Sequence, residues 1–192
     1  MLLERIIGAF TFRKGVYAEV EQDTSFTTTA WILVAVVAFL NQLGTTASGD
    51  LGKWLIGNIG WTAFAILGFA VGILVINWVG RAVFDADVTF NELVRTLGLA
   101  YVWQVVGVFG ILSAISDTLS CLLAPVMIIA AILMVIAWFI AAKEALDLEW
   151  VQTIVTVVIG WLVLIVITAV IGGLVLGAIG VGAAAMGGLF GS

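Results

Sequence analysis

The stretch VMIIAAILMVIAWFIAA, residues 126–142, carries no charged side chain and no alternation of polar and apolar residues. It ends an uncharged run that begins at Thr118. A transmembrane helix needs about 20 mainly apolar residues to cross the hydrocarbon core. Because backbone polar groups in lipid must be paired internally, only helices and closed barrels cross a membrane. Barrel strands would alternate with period two, so this stretch predicts a transmembrane helix.

The rest of the chain repeats this pattern, with long uncharged runs between short charged connections. We therefore predict an all-α integral membrane protein, a bundle of about five transmembrane helices with a short amphipathic N-terminal helix. The predicted spans cover about residues 26–46, 57–80, 93–115, 122–142 and 151–173. They form a membrane domain, residues 24–182, between an N-terminal segment, 1–23, and an apolar glycine-rich tail, 183–192. A sixth crossing or a re-entrant hairpin near the C-terminus stays open.

Composition supports lipid as the solvent of this chain. The 192 residues are 64% hydrophobic and 10% charged, whereas soluble domains carry about 25% charged residues. The sequence has no histidine, which removes the commonest general base and metal ligand, and its single cysteine, Cys121, excludes an internal disulfide. These counts exclude a soluble enzyme.

Basic residues predict the orientation of the helices. If five spans alternate, six of the seven basic residues lie at one side of the membrane: Arg5, Arg13, Lys14, Arg81, Arg95 and Lys143. Lys53 lies at the opposite side. Cytoplasmic loops are enriched in Lys and Arg, so we expect a cytoplasmic N-terminus and a C-terminus on the far side, most simply in a prokaryotic plasma membrane.

The N-terminal segment, residues 1–23, combines helical spacing of apolar residues with interspersed charges. Leu3, Ile6, Ile7 and Phe10 recur at helical spacing. Such a segment can lie in the headgroup region. It is interpreted as a surface lead-in to the first span, with a docking helix for a partner as the alternative.

Two cytoplasmic connections contain capping signals. Thr89 and Glu92 have the spacing of a capping box, which starts a helix by pairing free backbone N–H groups. Glu92 and Arg95 are three apart and can pair on the helix surface. Asp147 is predicted to be the N-cap of the fifth span. The carboxylates of Asp85, Asp87 and Glu92 are interpreted as solvated loop residues rather than a metal site.

Small residues inside the spans predict helix contacts, because close backbone approach drives helix packing in lipid. The pairs at four-residue spacing are Gly68 with Gly72, Ala137 with Ala141, and Gly173 with Gly177. Packing inside the bundle is favoured over dimerisation. The glycine-rich tail after Gly172 is interpreted either as a contact with a neighbouring protein or as a frayed end.

The polar residues inside the spans are uncharged. Asn77 and Gln104 are expected to form hydrogen bonds between helices, with a role in substrate binding as the alternative. No span carries an ionisable residue at its middle, and pumps and proton-coupled transporters need such groups. The sequence shows no phosphate loop, no nucleophile with a paired base and no metal-spaced cluster. We expect no cofactor, no metal and no catalytic residue.

Three segments together resemble the Yip (Ypt-interacting protein) domain family over roughly residues 4–170. They are FTFRKGVYAEVEQD at 10–23, FDADVTFNELVRTLGLA at 84–100 and KEALDLEWVQTIVTVVIGW at 143–161. The resemblance implies a non-enzymatic membrane protein of the prokaryotic type. Relatives in eukaryotes bind small GTPases, but no residue here identifies that partner.

The sequence thus favours a scaffold, membrane-organising protein or accessory subunit that acts through lateral helix contacts. Its expected partners are membrane lipid and another integral membrane protein, and no nucleic acid. A transporter or channel for a small uncharged solute is the alternative. It would require a hydrated path lined by Asn77, Gln104 and the threonines of the spans.

Overall fold

A computed structural model describes residues 1–45, 51–113, 116–167 and 169–170. Within these ranges the chain forms helices, and no strand occurs. The elements in order are α1 (Leu2–Phe10), α2 (Val16–Gln22), α3 (Phe26–Thr45), α4 (Leu51–Phe84), α5 (Phe90–Ala100), a 3-10 segment (Tyr101–Phe109), α6 (Gly110–Ser113), α7 (Asp117–Leu146) and α8 (Trp150–Ile167).

Five helical stretches of the described chain are long and apolar enough to cross a membrane. They are Phe26–Gly44, Leu51–Phe84, Phe90–Leu112, Thr118–Leu146 and Trp150–Ile167. The prediction of an all-α membrane protein with about five spans is confirmed. The possible sixth crossing and the glycine-rich tail lie outside the described residues.

Spans that are consecutive in the chain alternate in direction. The first span, α3, runs parallel to the third, because contacts advance together along both chains: Thr27 with Arg95, Ala30 with Gly98, and Asn41 with Gly107. The second span, α4, runs antiparallel to α8, with contacts of Gly72 with Leu164, Ile76 with Gly160, and Gly80 with Thr156. This register is the one that five alternating crossings require.

The third span lies at the centre of the bundle. In its most apolar window 61% of the residues are buried, against 6% for the fourth span. Every residue from Leu93 to Ala100 is buried. The exposed surface of α4 and α7 is rich in large apolar side chains, which is the surface that a membrane protein presents to lipid.

The capping box that starts the third span is present. The Thr89 N–H donates to Glu92 Oε2 at 2.7 Å, and the Glu92 N–H donates to Thr89 Oγ1 at 3.3 Å. Both contacts pair backbone N–H groups that the first turn of a helix leaves free. They fix the point at which the chain re-enters the membrane.

The prediction that Asp147 is the N-cap of the fifth span is wrong. Asp147 is the C-cap of α7, with φ +50°, and α8 begins three residues later at Trp150. Glu149 occupies the capping position: its N–H donates to Gln152 Oε1 at 3.2 Å, and its carbonyl accepts from the Thr153 N–H at 2.9 Å. The left-handed conformation ends α7, and aspartate tolerates that conformation better than most residues.

Candidate functional site

The N-terminal helices form a hairpin that is packed onto the bundle. Gly15, at φ +79°, makes the turn between α1 and α2. Val16, Tyr17 and Val20 are buried on the bundle side. On α1, Leu3 and Ile7 are more than half exposed, which places apolar side chains where lipid can cover them. The amphipathic N-terminal segment is therefore also packed against the membrane-spanning helices.

Arg95 joins this hairpin to the first and third spans. Its side chain is buried, its Nε donates to the Glu21 carbonyl at 2.9 Å, and its Nη1 donates to Thr27 Oγ1 at 3.2 Å. The Glu21 carbonyl is among the last of α2, which have no partner within the helix. The predicted ion pair of Arg95 with Glu92 is present, with Nη2 and Oε1 4.0 Å apart, but the Arg95 side chain is buried instead of lying on the helix surface.

A second arginine holds the two helices of the hairpin together. Arg5 on α1 donates to Glu19 at 3.1 Å and to Asp23 at 2.7 Å, and its guanidinium lies 5.0 Å from the centre of the Phe26 ring. Hydrogen bonds from Ser25 and Arg5 lower the pKa of Asp23. Surface ion pairs contribute little singly, so these contacts orient the hairpin more than they stabilise it.

The Glu21 carboxyl makes docking of the hairpin sensitive to pH. Burial, with the nearby carboxylates of Asp147, Glu92 and Glu144, raises its pKa from 4.5 to about 7, and Arg95 opposes this shift. The folded state therefore binds this proton more tightly than the unfolded chain, and stability from Glu21 is lost as the pH rises from 4.5 through 7. The lowered pKa values of Glu19 and Asp23 act in the opposite sense, but below this window.

We expect the melting temperature to fall between pH 5 and pH 8. Replacing Glu21 by glutamine should flatten this dependence, because the amide does not titrate. Glu4→Gln is the control, since Glu4 lies in the exposed first turn of α1. Equal pH dependence in wild-type and Glu21→Gln proteins would contradict the assignment.

The tip of the hairpin contacts Trp103 in the middle of the third span. The Phe10 and Trp103 rings meet edge to face with centroids 4.9 Å apart, and the Phe12 ring stacks on the same indole at 5.6 Å. Phe12 has φ +51°, an uncommon conformation for a large side chain. The hairpin thus supports one wall of the membrane interior.

The third span changes its helical geometry at this level. Nine residues, Tyr101–Phe109, form a 3-10 helix, whereas runs beyond about 3–4 residues are uncommon. A period of three places Tyr101, Gln104 and Gly107 on one face. Gln104 interacts with the Tyr101 hydroxyl of its own helix.

Glycines allow the first span to touch this 3-10 segment. The Asn41 side-chain oxygen occupies the position that a Cβ atom on Gly107 would take. A Cβ on Gly110 would lie 2.6 Å from the Gly44 carbonyl oxygen. Sequence reasoning missed this contact, although the three-residue spacing of Gly107 and Gly110 is the period of a 3-10 helix.

A cavity of about 270 Å³ lies beside the 3-10 segment, between the first, third and fourth spans. Its polar side-chain groups are the amides of Asn41 and Gln104 and the indole N–H of Trp103, which has no hydrogen-bond partner among the described residues. The other lining residues are Val106, Gly107, Met127, Ala130, Ala131 and Met134, so no charged side chain lines the cavity. Irregular backbone at membrane depth is tolerated where it is buried in protein or lines a cavity.

The remaining predicted residues are dispersed. Asn77 lies away from the cavity and donates to the Val88 carbonyl at 3.1 Å, which ties α4 to the connection before the third span. Gly72 lies against Leu164, and Ala137 and Ala141 are fully buried. Gly173 and Gly177 lie outside the described residues.

Gly68 differs from its predicted role in packing the bundle, because a Cβ there would meet no atom within 4 Å. Gly57 and Gly60, which lie on the same helix, also have no atom within 4 Å of a Cβ position. Gly57 and Gly68 are eleven residues apart, about three helical turns, and therefore lie on one side of α4. Of the predicted Gly68–Gly72 pair, Gly72 thus packs inside the bundle, and Gly68 faces away from the described helices.

Sequence reasoning also missed a row of polar residues on α4. Trp54, Asn58 and Thr62 follow at four-residue spacing, and their side-chain polar atoms are buried without a hydrogen-bond partner. The spacing places them on one helix face. Among the described residues, no group of three or more His, Cys, Asp or Glu could hold a metal ion.

The alternating helices, lipid-compatible surface and charge-free cavity define a polytopic helical membrane protein. A family model described as the Yip1 domain matches residues 7–172, most of the chain. The chain belongs to the Yip1 domain family, which is not a family of enzymes. The resemblance found in the sequence is confirmed. No curated protein and no solved structure matches the chain.

Proposed function

We propose that the protein is a non-enzymatic membrane scaffold or accessory subunit that binds another integral membrane protein along α4. The observation that carries the proposal is the open face made by Gly57, Gly60 and Gly68. Apolar side chains alone do not distinguish a partner from lipid, but glycine lets a second helix backbone approach closely. A small GTPase enters this proposal only by analogy with the family.

Replacing Gly68 by leucine should reduce the amount of partner that co-purifies with the protein from native membranes by about tenfold, since a large side chain blocks close approach. Ala63→Leu is the matched control: it adds bulk to another exposed position of α4. Chemical cross-linking before extraction would reveal whether the partner is a second copy. Unchanged co-purification by Gly68→Leu, with every partner retained, would refute this contact.

The proposed orientation has a cytoplasmic N-terminus in a prokaryotic plasma membrane. Its support is the placement of six of seven basic residues at one end of alternating helices. In a Cys121→Ser background, a cysteine at Asp87, an exposed residue of the connection before the third span, should react with a membrane-impermeant thiol reagent only after the cells are opened. A cysteine at Lys53 should react in intact cells. The reverse pattern would exclude this orientation.

A second candidate function is passage of a small uncharged solute. The observation that favours it is the cavity beside the 3-10 segment, whose walls include the amides of Asn41 and Gln104 and no charged side chain. Of the two amides expected to line a hydrated path, Gln104 lines the cavity and Asn77 lies away from it, bonded to the Val88 carbonyl. Saturable uptake of a neutral solute by liposomes that contain the pure protein would favour this function over the scaffold.

A further inference from the structure

We propose that the cavity beside the 3-10 segment is a binding site for a small uncharged molecule that carries a carbonyl or hydroxyl oxygen. The inference rests on the cavity that motivates the second candidate function. The inference concerns binding alone, so it also holds for a protein that binds such a molecule without transporting the molecule. The lining residues limit the size, charge and polarity of the ligand.

The size of the ligand follows from the volume. The cavity of about 270 Å³ lies near the lower end of the range of small-molecule sites, about 300–1,000 Å³. It equals the share of roughly nine water molecules in the liquid. A single small solute fits, whereas a complete phospholipid does not.

The charge of the ligand follows from the walls. None of the nine lining residues can balance an ion. An ionised group at membrane depth is costly unless it is paired. A charged solute of the same size would lose its hydration without gaining a counter-charge, so the site selects neutral molecules.

The polarity of the ligand follows from the two amides. Asn41 and Gln104 each offer two donors and a carbonyl acceptor. Gln104 uses part of this capacity on the Tyr101 hydroxyl. The Asn41 side chain packs against Gly107, with its oxygen toward the glycine. A carbonyl or hydroxyl oxygen in the cavity can accept from these amide N–H groups, which hydrocarbon cannot do.

The rest of the wall suits a ligand with an apolar body. Met127 and Met134 are flexible thioether side chains that adapt to irregular shapes. Ala130 and Ala131 leave space between them. Trp103 is fixed from behind by Phe10 and Phe12 of the hairpin, so this side of the cavity is already formed.

The test uses cysteine accessibility in the full-length protein in liposomes. Cys121 is exposed and is first replaced by serine. Met134→Cys then places a thiol in the cavity wall, and Ile132→Cys, at a position 55% exposed, is the lipid-facing control at similar depth. The probe is the small neutral reagent methyl methanethiosulfonate. A thiolate does not form readily in apolar surroundings, so Met134→Cys should react at least about tenfold faster than the control.

Protection by added solutes then tests the ligand class. Propionamide should slow modification of Met134→Cys by the factor 1 + [L]/Kd, about tenfold at roughly nine times its Kd. Propionate, its charged counterpart, should not protect. Adding Gln104→Leu should abolish protection by propionamide while the cysteine stays reactive, and an unchanged melting temperature shows that this variant is folded.

Three results would overturn the binding proposal. Equal reactivity of Met134→Cys and Ile132→Cys means that the cavity is dry. Reactivity without protection by propionamide up to its solubility limit means that the cavity holds water only. Equal protection by propionate contradicts the selection for neutral molecules. A lack of solute flux in the same liposomes contradicts only the transport function.

Discussion

Replacing Gly107 by alanine is expected to destabilise the protein strongly, although the change adds a single methyl group. The Asn41 side-chain oxygen already occupies the place of that methyl group. Overpacking a well-packed interior usually costs about 1–3 kcal/mol, and occasionally more. We expect a cost within this range, because the Asn41 side chain must leave the space that it fills between the first and third spans, whereas the Asn41 Cα atom, 3.5 Å from the new Cβ, can stay in place. Thermal unfolding of the purified protein in detergent is the measurement.

The matched control is Gly60→Ala on α4, where a Cβ would meet no atom within 4 Å. It should leave the melting temperature nearly unchanged. Combining Gly107→Ala with Asn41→Ala should recover part of the lost stability, because the second change removes the group that clashes. Equal melting temperatures for Gly107→Ala and Gly60→Ala would show that the close contact does not exist.

Replacing Arg95 by methionine is expected to release the N-terminal hairpin from the bundle. The guanidinium bonds to the Glu21 carbonyl and to Thr27, and hydrogen bonds of charged groups contribute about 1.5–3 kcal/mol each. The unfolding free energy should fall by about 3 kcal/mol or more. Tryptic cleavage after Lys14 should become faster even below the melting temperature, because the hairpin opens locally.

The Arg95→Lys variant distinguishes the contribution of the positive charge from that of the planar guanidinium geometry. A lysine ammonium keeps the positive charge but lacks the planar fork that contacts Glu21 and Thr27 together. It should therefore recover only part of the stability. Arg81→Met is the control, since it removes an equal charge from the exposed end of α4. If Arg95→Met has the melting temperature and the cleavage rate of Arg81→Met, the contacts of Arg95 with Glu21 and Thr27 do not contribute to stability.

The faces of the spans were harder to predict than the spans themselves. In a soluble helix, polar and apolar faces alternate and reveal the core. Here lipid covers the outside, so an exposed residue such as Ile132 is as apolar as a buried one such as Leu97. Gly68 was expected inside the bundle and faces outward, while Gly107 was missed. Helical spacing alone cannot separate these two glycines.

Local and distant contacts also differ in what sequence can predict. The Thr89–Glu92 capping box depends on four consecutive residues, and its pattern is visible in the sequence. The partner of Arg95 is the Glu21 carbonyl, 74 residues earlier in the chain. The nearer carboxylate, Glu92, forms the predicted ion pair with Arg95, but the spacing could not show that the arginine side chain is buried. Asp147 was misassigned because aspartate suits both helix starts and left-handed helix ends.

The sequence by itself determined the class of protein, the five spans of the described chain and the family. Those properties depend on the length of uncharged runs, since hydrocarbon admits only about 20 apolar residues per crossing with internally paired backbone groups. Tertiary structure alone decided which helix lies at the centre, where the 3-10 segment leaves a cavity, and how Phe10 and Phe12 reach Trp103. These features depend on close approach between distant segments, which apolar composition, nearly uniform along the spans, does not encode locally.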